Sequence, residues 1–594
     1  MSKDYYFIST NLELDLDNKK EKILAGNWCI TNHKDKKLKK KYQTLEDIWK
    51  KPSKRKSDYK YLQIILKKYS DRLAFYLNSL HGNQFSKNFW KRIVMAWLTI
   101  YLPSQFYRWQ IVKKIIKLKK NINFYDLKYS NKPNYLLDTL DYHNSISTNN
   151  YHNYAIFKNL MSYYKKKGKK IQFIKRDISS YVSNKSEIKK KDIFYILKLK
   201  KIFNYFLHFL FSKNKIFIEN NTFSIRDNIK INLLLGQLPT YPNDTFNGGF
   251  GYKDFYENKK VNFIKRKAHT LKATKNDEFT SYIDSIIRQD IPICFIEGFN
   301  DLYKYAQKII IKPKIILSSY YHYYNELFKI WSSYLVEKKY SKLFIVSHGA
   351  GGFLQYSSCL KFEAEIADKK INWYKSKKLN EIQLPASKFL TKKKIKSTKE
   401  FISYVEGPTT PFPSKIGDGI INNGSPDLHN NFINLFKKID VKLKKKIIFL
   451  PKTNFNIDST KYLKNFLKKS QIKKNDNFRR YKNRSKLVIL NYPETAFCES
   501  LIAGRPTILL YEREKWEFDK KFQNIYKKLI KYKILFHYPQ KAAEHINLVS
   551  NNINKWWYSK PVSLVVNEFL NQTCFISNDS INIWVNTLKK ELKK

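Results

Sequence analysis

From about residue 290 the chain settles into a regular alternation of short apolar runs and longer amphipathic ones. "IPICFIE" (291–297) and "KIILSS" (314–319) read as short buried strands. "NELFKIWSSYLVEKK" (325–339) sets Leu327, Ile330, Trp331, Tyr334 and Leu335 on one face at helical spacing, and "KLFIVSHGAGGF" (342–353) is a strand running into glycines. After a basic connector, "KFLTKKKIKSTKE" (388–400), the alternation restarts. "FISYVEGPTTPFPS" (401–414) is a strand ending in a Gly/Pro/Thr loop. The helix that follows has Ser425 as N-cap, Pro426 in its first turn, and Leu428, Phe432, Leu435, Phe436 and Ile439 along one face. "KKIIFLPKT" (445–453) is a strand, "KLVILNYPETAFCESLIAG" (486–504) is strand, turn and helix stopped by Gly504, and "PTILLYE" (506–512) is the next strand. Buried strands alternating with amphipathic helices predict parallel sheets covered on both faces. The expected fold class is α/β, with two doubly wound Rossmann-like domains facing a cleft.

The first 140 residues follow a different pattern, aromatic and mostly helical. In "FWKRIVMAWLTIYLPSQFYRWQIVKKIIKLKK" (89–120) apolar residues nearly encircle the helix, which places it in a core, and Pro103 is expected to break it into a pair. The organisation that results is an N-terminal helical or mixed region (1–140), a first Rossmann-like domain (141–390) and a second with C-terminal helices (391–594).

Composition sharpens this picture. Of the 594 residues 43% are hydrophobic and 16% aromatic, enough for sizeable cores and too many for a disordered chain. Apolar runs are broken by charge before the roughly 18 residues of a membrane span. The start, "MSKDYYFISTNLELDLD", lacks a signal peptide's basic and apolar regions, so a soluble cytoplasmic protein is expected. Cys29, Cys294, Cys359, Cys498 and Cys574 stand far apart with no CxxC, which predicts reduced core thiols and no metal site. Asp15-Leu16-Asp17 spells a DxD, but near the N-terminus rather than after a nucleotide-domain strand, and reads as chance acidic spacing. The net charge of +63 is carried almost wholly by lysine, whereas base reading favours arginine. It predicts solvated surfaces, or peripheral contact with an anionic inner membrane, and no specific nucleic acid.

Ligands of open parallel sheets bind beyond the carboxyl ends of strands, and three stretches sit there. In Ser347-His348-Gly349-Ala350-Gly351-Gly352 a strand delivers a histidine to the cleft, among small residues that let a phosphate approach the backbone. That histidine is either a general base or a hydrogen-bonded structural residue. In Asn491-Tyr492-Pro493-Glu494-Thr495 a turn leads into a helix whose N-terminus suits a diphosphate, with Glu499 one turn further in for a ribose. Glu494 reads as a helix-stabilising cap that binds nothing. Gly407-Pro408-Thr409-Thr410 and Pro451-Lys452 end neighbouring strands, and Lys452 is a candidate phosphate partner or a solvated surface lysine.

The order "IPICFIEGFNDLY", the 314–353 stretch, "EIQLPASKF" and "NYPETAFCESLIAGRPTILLYE", with "YYFISTNLE…KILAGNWC" at the start, resembles a family of transferases encoded in O-antigen and other surface-polysaccharide (lipopolysaccharide-type) loci. The chain is more distantly similar to the glycerophosphotransferases that build teichoic acids. The resemblance implies a GT-B layout. By it, His348 matches the base, Asn491, Thr495 and Glu499 the donor turn and helix, and Pro385 and Lys388 the interdomain segment. Departures are Asn491-Tyr492-Pro493-Glu494-Thr495 where relatives tend to have Asp-Tyr-Asn-Ser-Thr, Ile448 in place of a basic residue, and Ala350 among the glycines. Lys452 and Arg505 are the cations available to compensate. The expected function is a metal-independent glycosyltransferase with no tightly bound cofactor. A nucleotide-activated sugar is its co-substrate and a lipid-linked glycan its acceptor. A CDP-alcohol-dependent phosphotransferase and a non-catalytic scaffold of polysaccharide assembly are the alternatives.

Overall fold

The computed structural model describes the chain outside residues 1–4, 18–19, 31–40, 120, 129–134, 179–208, 211, 220–221, 240–245, 247–251, 272–276, 392–399, 418–424, 453–458, 474–480 and 482–483. Most of the basic connector falls outside, as do the side chains of Ser425, Pro426 and Leu428. The described residues form three parallel sheets of five strands each.

The N-terminal sheet comprises β1 (Tyr5–Ile8), β2 (Lys22–Leu24), β3 (Gln43–Thr44), β4 (Ile122–Lys128) and β5 (Ile171–Asp177), in the order β3-β2-β1-β4-β5. With it come α1 (Pro52–His81), α2 (Lys87–Leu118) and α3 (Thr139–Thr148). The helical character expected of this region holds, but a parallel sheet lies inside it that the strongly helical pattern concealed. Helix α2 is one uninterrupted helix with Pro103 inside it, not a pair. An interior proline costs about 3 kcal/mol. Trp90, Trp97, Leu98, Tyr101 and Leu102, all fully buried around it, supply far more through area removed from water.

The middle sheet runs in sequential order: β6 (Ile216–Glu219), β7 (Ile315–Ser318), β8 (Lys342–Val346), β9 (Lys369–Asn372) and β10 (Glu381–Gln383). Its helices include α4 (Ile225–Leu234), α5 (Ile293–Ile296), α6 (Glu326–Glu337) and α7 (Ser358–Ile366). "IPICFIE", read as a strand, is instead the helical turn α5. A four-residue apolar run has no periodicity to separate the two states. Here Pro292 precedes it, and the amides of Ile293 and Cys294 are taken by the carbonyls of Leu136 and Leu137.

The C-terminal sheet has β11 (Ile402–Val405), β12 (Ile447–Leu450), β13 (Leu487–Leu490), β14 (Thr507–Leu510) and β15 (Leu535–Phe536) in the order β12-β11-β13-β14-β15. This is a doubly wound sheet with its switch point between β11 and β13. Helices α8 (Ser425–Lys438), α9 (Thr495–Ile502) and α10 (Lys560–Thr573) cover it. The chain then returns to the middle sheet as α11 (Ser580–Leu592). There Trp584, Val585 and Leu588 join the core made by Ile216, Ile315, Phe344 and Ile371. The middle and C-terminal sheets thus give a GT-B-like layout, two parallel sheets opposed through the loops at their carboxyl ends.

Trp584 holds this return crossing. It is fully buried, packs edge-on to Phe223 at 4.9 Å, and its indole Nε1 donates to the Pro385 carbonyl at 2.8 Å. Trp584→Ala is expected to cost roughly 3–5 kcal/mol in urea unfolding, whereas a change at the exposed Asn586 of the same helix leaves the midpoint in place.

Candidate active site

Strand β8 is buried to its end at Val346 and delivers Ser347 and His348 beyond the sheet. Ser347 remains structural: its amide donates to the Ile371 carbonyl at 2.9 Å and its hydroxyl to Asn372 Oδ1 at 3.3 Å. The His348 side chain is 44% exposed. Beneath it lies a group of side chains that sequence reasoning missed. Glu363 of α7 and Lys370 of β9 are completely buried and form an ion pair at 2.6 Å. Glu363 Oε1 also accepts from the Tyr323 hydroxyl and lies 3.5 Å from His322 Nε2 and 3.8 Å from His348 Nδ1. The Tyr323 ring meets the His348 ring edge-on at 5.4 Å.

Burial opposes ionisation of Glu363, but the charge of Lys370, with His322 and His348, outweighs it and holds the carboxyl well below its usual range. For His322 burial wins over the nearby carboxylate and pushes the imidazole down, toward its neutral form. A carboxylate facing Nδ1 of His348 favours the tautomer protonated there, which leaves Nε2 as the acceptor.

The glycine loop after His348 touches the C-terminal sheet. The Ala350 amide donates to Thr495 Oγ1, at the start of α9, at 3.2 Å. A Cβ on Gly349 would come within 2.8 Å of the same oxygen, so this close approach needs glycine. Gly351 has open space around it, while Gly352 lies against the Tyr374 ring. Close by, Leu354 forms an antiparallel bridge with Phe518, and Glu517 is shared by Tyr356 and by Arg55 of α1.

At the switch point of the C-terminal sheet, the Gly407 amide donates to Asn491 Oδ1 at 2.6 Å, clipping the ends of β11 and β13 together. Asn491 is buried by this contact. Pro408, Thr409 and Thr410 are half-buried, and the Thr410 hydroxyl closes its own loop on the Phe412 carbonyl at 3.0 Å. The loop is gripped from outside its own sheet. The Phe412 amide donates to the Ser147 carbonyl at 3.2 Å and its ring packs against Trp28 at 5.7 Å, and buried Arg108 of α2 donates to the Pro413 carbonyl at 2.9 Å. Lys452 is exposed at the end of β12, its amide held by Glu406 at 3.2 Å. Glu406, also unforeseen, is buried 3.5 Å from His429 and accepts from Ser459 at 2.7 Å.

Glu494 occupies the N-cap position of α9, as expected, but its carboxylate makes no capping hydrogen bond. Glu499 is only 5% exposed. Burial, with the charges of Glu494 and Glu499, raises the Tyr492 hydroxyl above its ordinary value, which sets that ring beside both acids. Arg505 is buried beyond the far end of α9, with Tyr558, and not beside the turn. Pro385 is buried against the C-terminal segment, where its carbonyl accepts from Trp584, and Lys388 is half-buried in the 387–389 turn. Asp17 of the DxD is paired with Arg176 at 2.8 Å. Among the described residues no group of three or more His, Cys, Asp or Glu side chains is disposed to hold a metal, and no helix is long and apolar enough to cross a membrane.

The family model described as LIC12162 family transferase matches residues 5–588, and the chain belongs to that family. No curated protein matches it. Among solved structures, a UDP co-structure of S. aureus MnaA is 11% identical, covering 64% of this chain and 97% of its own at a TM-score of 0.36. A UDP-N-acetylglucosamine 2-epimerase is 9% identical, covering 64% and 96% at 0.35, and the glycosyltransferase SnogD from Streptomyces nogalater 7% identical, covering 63% and 98% at 0.30.

Breaking the buried pair has a defined cost. Glu363→Gln leaves the Lys370 charge without its counterion and is expected to destabilise by roughly 3–5 kcal/mol in urea unfolding at neutral pH. Because the folded carboxyl ionises below its ordinary 4.5, the wild-type advantage is fully present above that value and is lost as pH falls below it through the lower folded value. The two unfolding curves should therefore converge in acid.

Proposed function

We propose that this LIC12162 family transferase moves a glycosyl group from a nucleotide-activated sugar to a hydroxyl of a surface-glycan intermediate, with His348 as general base. The observation that carries the reading is the contact between Ala350 and Thr495, which brings an exposed histidine and the start of a donor-type helix to one place. In this reading the acceptor hydroxyl gives its proton to His348 Nε2 as its oxygen bonds to the anomeric carbon. The bond from that carbon to the nucleoside diphosphate breaks, and the electron pair leaves with the diphosphate. The positive end of α9, the Thr495 hydroxyl and the exposed ammonium of Lys452 receive the developing charge. The loop 407–410 lies across the switch-point crevice, where a nucleotide is ordinarily held. Glu499 and Asn491 then act from beneath this surface, Asn491 by fixing Gly407.

A carboxylate under an imidazole assists such a base, because the proton taken at Nε2 leaves an imidazolium that Glu363 stabilises at Nδ1. A lipid-linked glycan of the O-antigen type is the acceptor class we assign, following the sequence resemblance.

The test is a thermal-shift screen of the purified chain against UDP, GDP, CDP, CMP and dTDP, repeated on His348→Gln. One nucleotide should raise the melting temperature equally in both proteins, while transfer from the matching sugar nucleotide falls about 10²–10⁴-fold in the variant. Donor phosphorus retained in the product would replace sugar transfer with alcohol-phosphate transfer. No nucleotide response from folded protein would refute the enzyme reading in favour of a scaffold.

A further inference from the structure

Helix α4 is built inside out. An ordinary surface helix turns its apolar stripe to the core and its polar residues to water. Here Asp227, Asn228 and Asn232 are buried along with Ile231. Ile225, Ile229 and Leu233, four residues apart and so on one stripe, are 62%, 42% and 62% exposed. Leu234 and Leu238 extend the exposed apolar surface. The orientation is fixed by the polar side. Asn232 Nδ2 donates to the Asn228 carbonyl at 2.8 Å, and Gln237 Nε2 donates to Asn232 Oδ1 at 2.8 Å and to the Ile216 carbonyl at 2.7 Å. Thr391 reaches Asp227 at 3.4 Å, and the Ser224 hydroxyl caps the helix through the Asp227 amide at 3.1 Å. Rotating α4 to hide this stripe would break this set and strand buried polar groups.

Single exposed apolar side chains need no explanation, but a regular stripe of them marks a contact surface. The charges around it identify the partner. Arg226 and Lys230 are exposed on the same helix, and the one acid between residues 222 and 238, Asp227, faces inward. At the far end Asn214 Nδ2 donates to the Leu238 carbonyl at 2.9 Å, which sets exposed Lys213 and Lys215 beside the leucines, and the Lys314 amide joins Lys215 at 2.8 Å. Apolar side chains ringed by ammonium and guanidinium groups fit the headgroup and upper acyl region of an anionic bilayer. A second copy of the chain is disfavoured, because a symmetric contact would press Arg226 and Lys230 against their equivalents.

We propose that the exposed face of α4, with Lys213, Lys215 and Lys314, seats the protein on an anionic lipid surface. The inference goes beyond the transfer reaction and does not depend on its donor. It is tested with the full chain, by flotation with phosphatidylcholine vesicles with and without phosphatidylglycerol. The protein is expected to float only with the anionic vesicles. The variant Ile225→Gln/Ile229→Gln/Leu233→Gln should lose roughly tenfold or more in vesicle affinity, with wild-type melting temperature and oligomeric state. Arg226→Gln/Lys230→Gln should weaken binding and flatten its salt dependence. Unchanged flotation of the triple variant would overturn the proposal. So would a lower melting temperature or a changed oligomeric state in that variant, since either means that protein already covers the stripe.

Discussion

The contact at the centre of the site is a hydrogen bond between the loops of two sheets, from the Ala350 amide to Thr495 Oγ1. Each partner is at the carboxyl end of its own parallel sheet, where strand direction directs loops and helix N-termini. Neither sheet alone forms a site from these parts, because the histidine and its carboxylate belong to one and the donor-type turn to the other. Gly349 makes the approach possible, and the bridge between Leu354 and Phe518 supports it from outside. Any opening of the two sheets separates His348 from the start of α9, so their relative position governs the chemistry proposed for them.

The third, N-terminal sheet has a different part. Its β1 end is closed by its own side chains: Glu13 Oε2 accepts the amides of Ser9 and Thr10 at 3.0 and 2.7 Å, and Trp28 donates to the Ser9 carbonyl at 2.8 Å. Burial pushes Glu13 up to about 7 despite those bonds, so the loop is held by a carboxyl that is easily protonated and not by an open anion site. What this unit offers outward is support. Trp28, Arg108 and the Ser147 carbonyl grip residues 412 and 413, just past the loop that crosses the switch point. Burial drops the Arg108 guanidinium to about 10, still protonated at neutral pH, and its bonds to Ser104 O and Asn153 Oδ1 fix its direction. The N-terminal unit thereby shapes a crevice that belongs to another sheet.

The sequence made four strands of the C-terminal sheet and the two central strands of the middle one, β7 and β8, legible because they are continuous apolar runs bounded by glycine, proline and helix caps, whereas the edge strands β9 and β10 are short and half polar. The loops at their carboxyl ends were legible for the same reason: His348, Gly407, Asn491 and Thr495 each stand one to five residues after a strand. The N-terminal sheet was not, since β1 to β3 are two to four residues long and the long helices α1 and α2, between β3 and β4, dominate the pattern. Glu363 and Lys370 were hidden more deeply. Nothing in "KFEAEIADKKIN" separates Glu363 from Glu365, or a lysine buried in a strand from the lysines that crowd every surface of this chain. A buried ion pair is a property of contact, and local pattern does not encode it.

Charge explains the acid at the mouth of the donor turn. A helix N-terminus is ordinarily satisfied by the side chain of its cap residue, and a carboxylate there competes with any other anion. Glu494 has the cap position without the capping bond, its backbone extended at φ −118° and ψ −152°. Thr495, the next residue, has turned its hydroxyl to the opposite sheet. The positive end of α9 therefore keeps its preference for an anion, with no capping bond from its nearest acid. In a chain of net charge +63, a carboxylate at this edge also limits what the end attracts. An isolated phosphate meets both the helix and the repelling acid, whereas a larger donor seated across loop 407–410 can present its diphosphate from the side of Lys452. In the proposed reaction Glu494 would serve discrimination between anions, with the binding left to the helix end, Thr495 and Lys452.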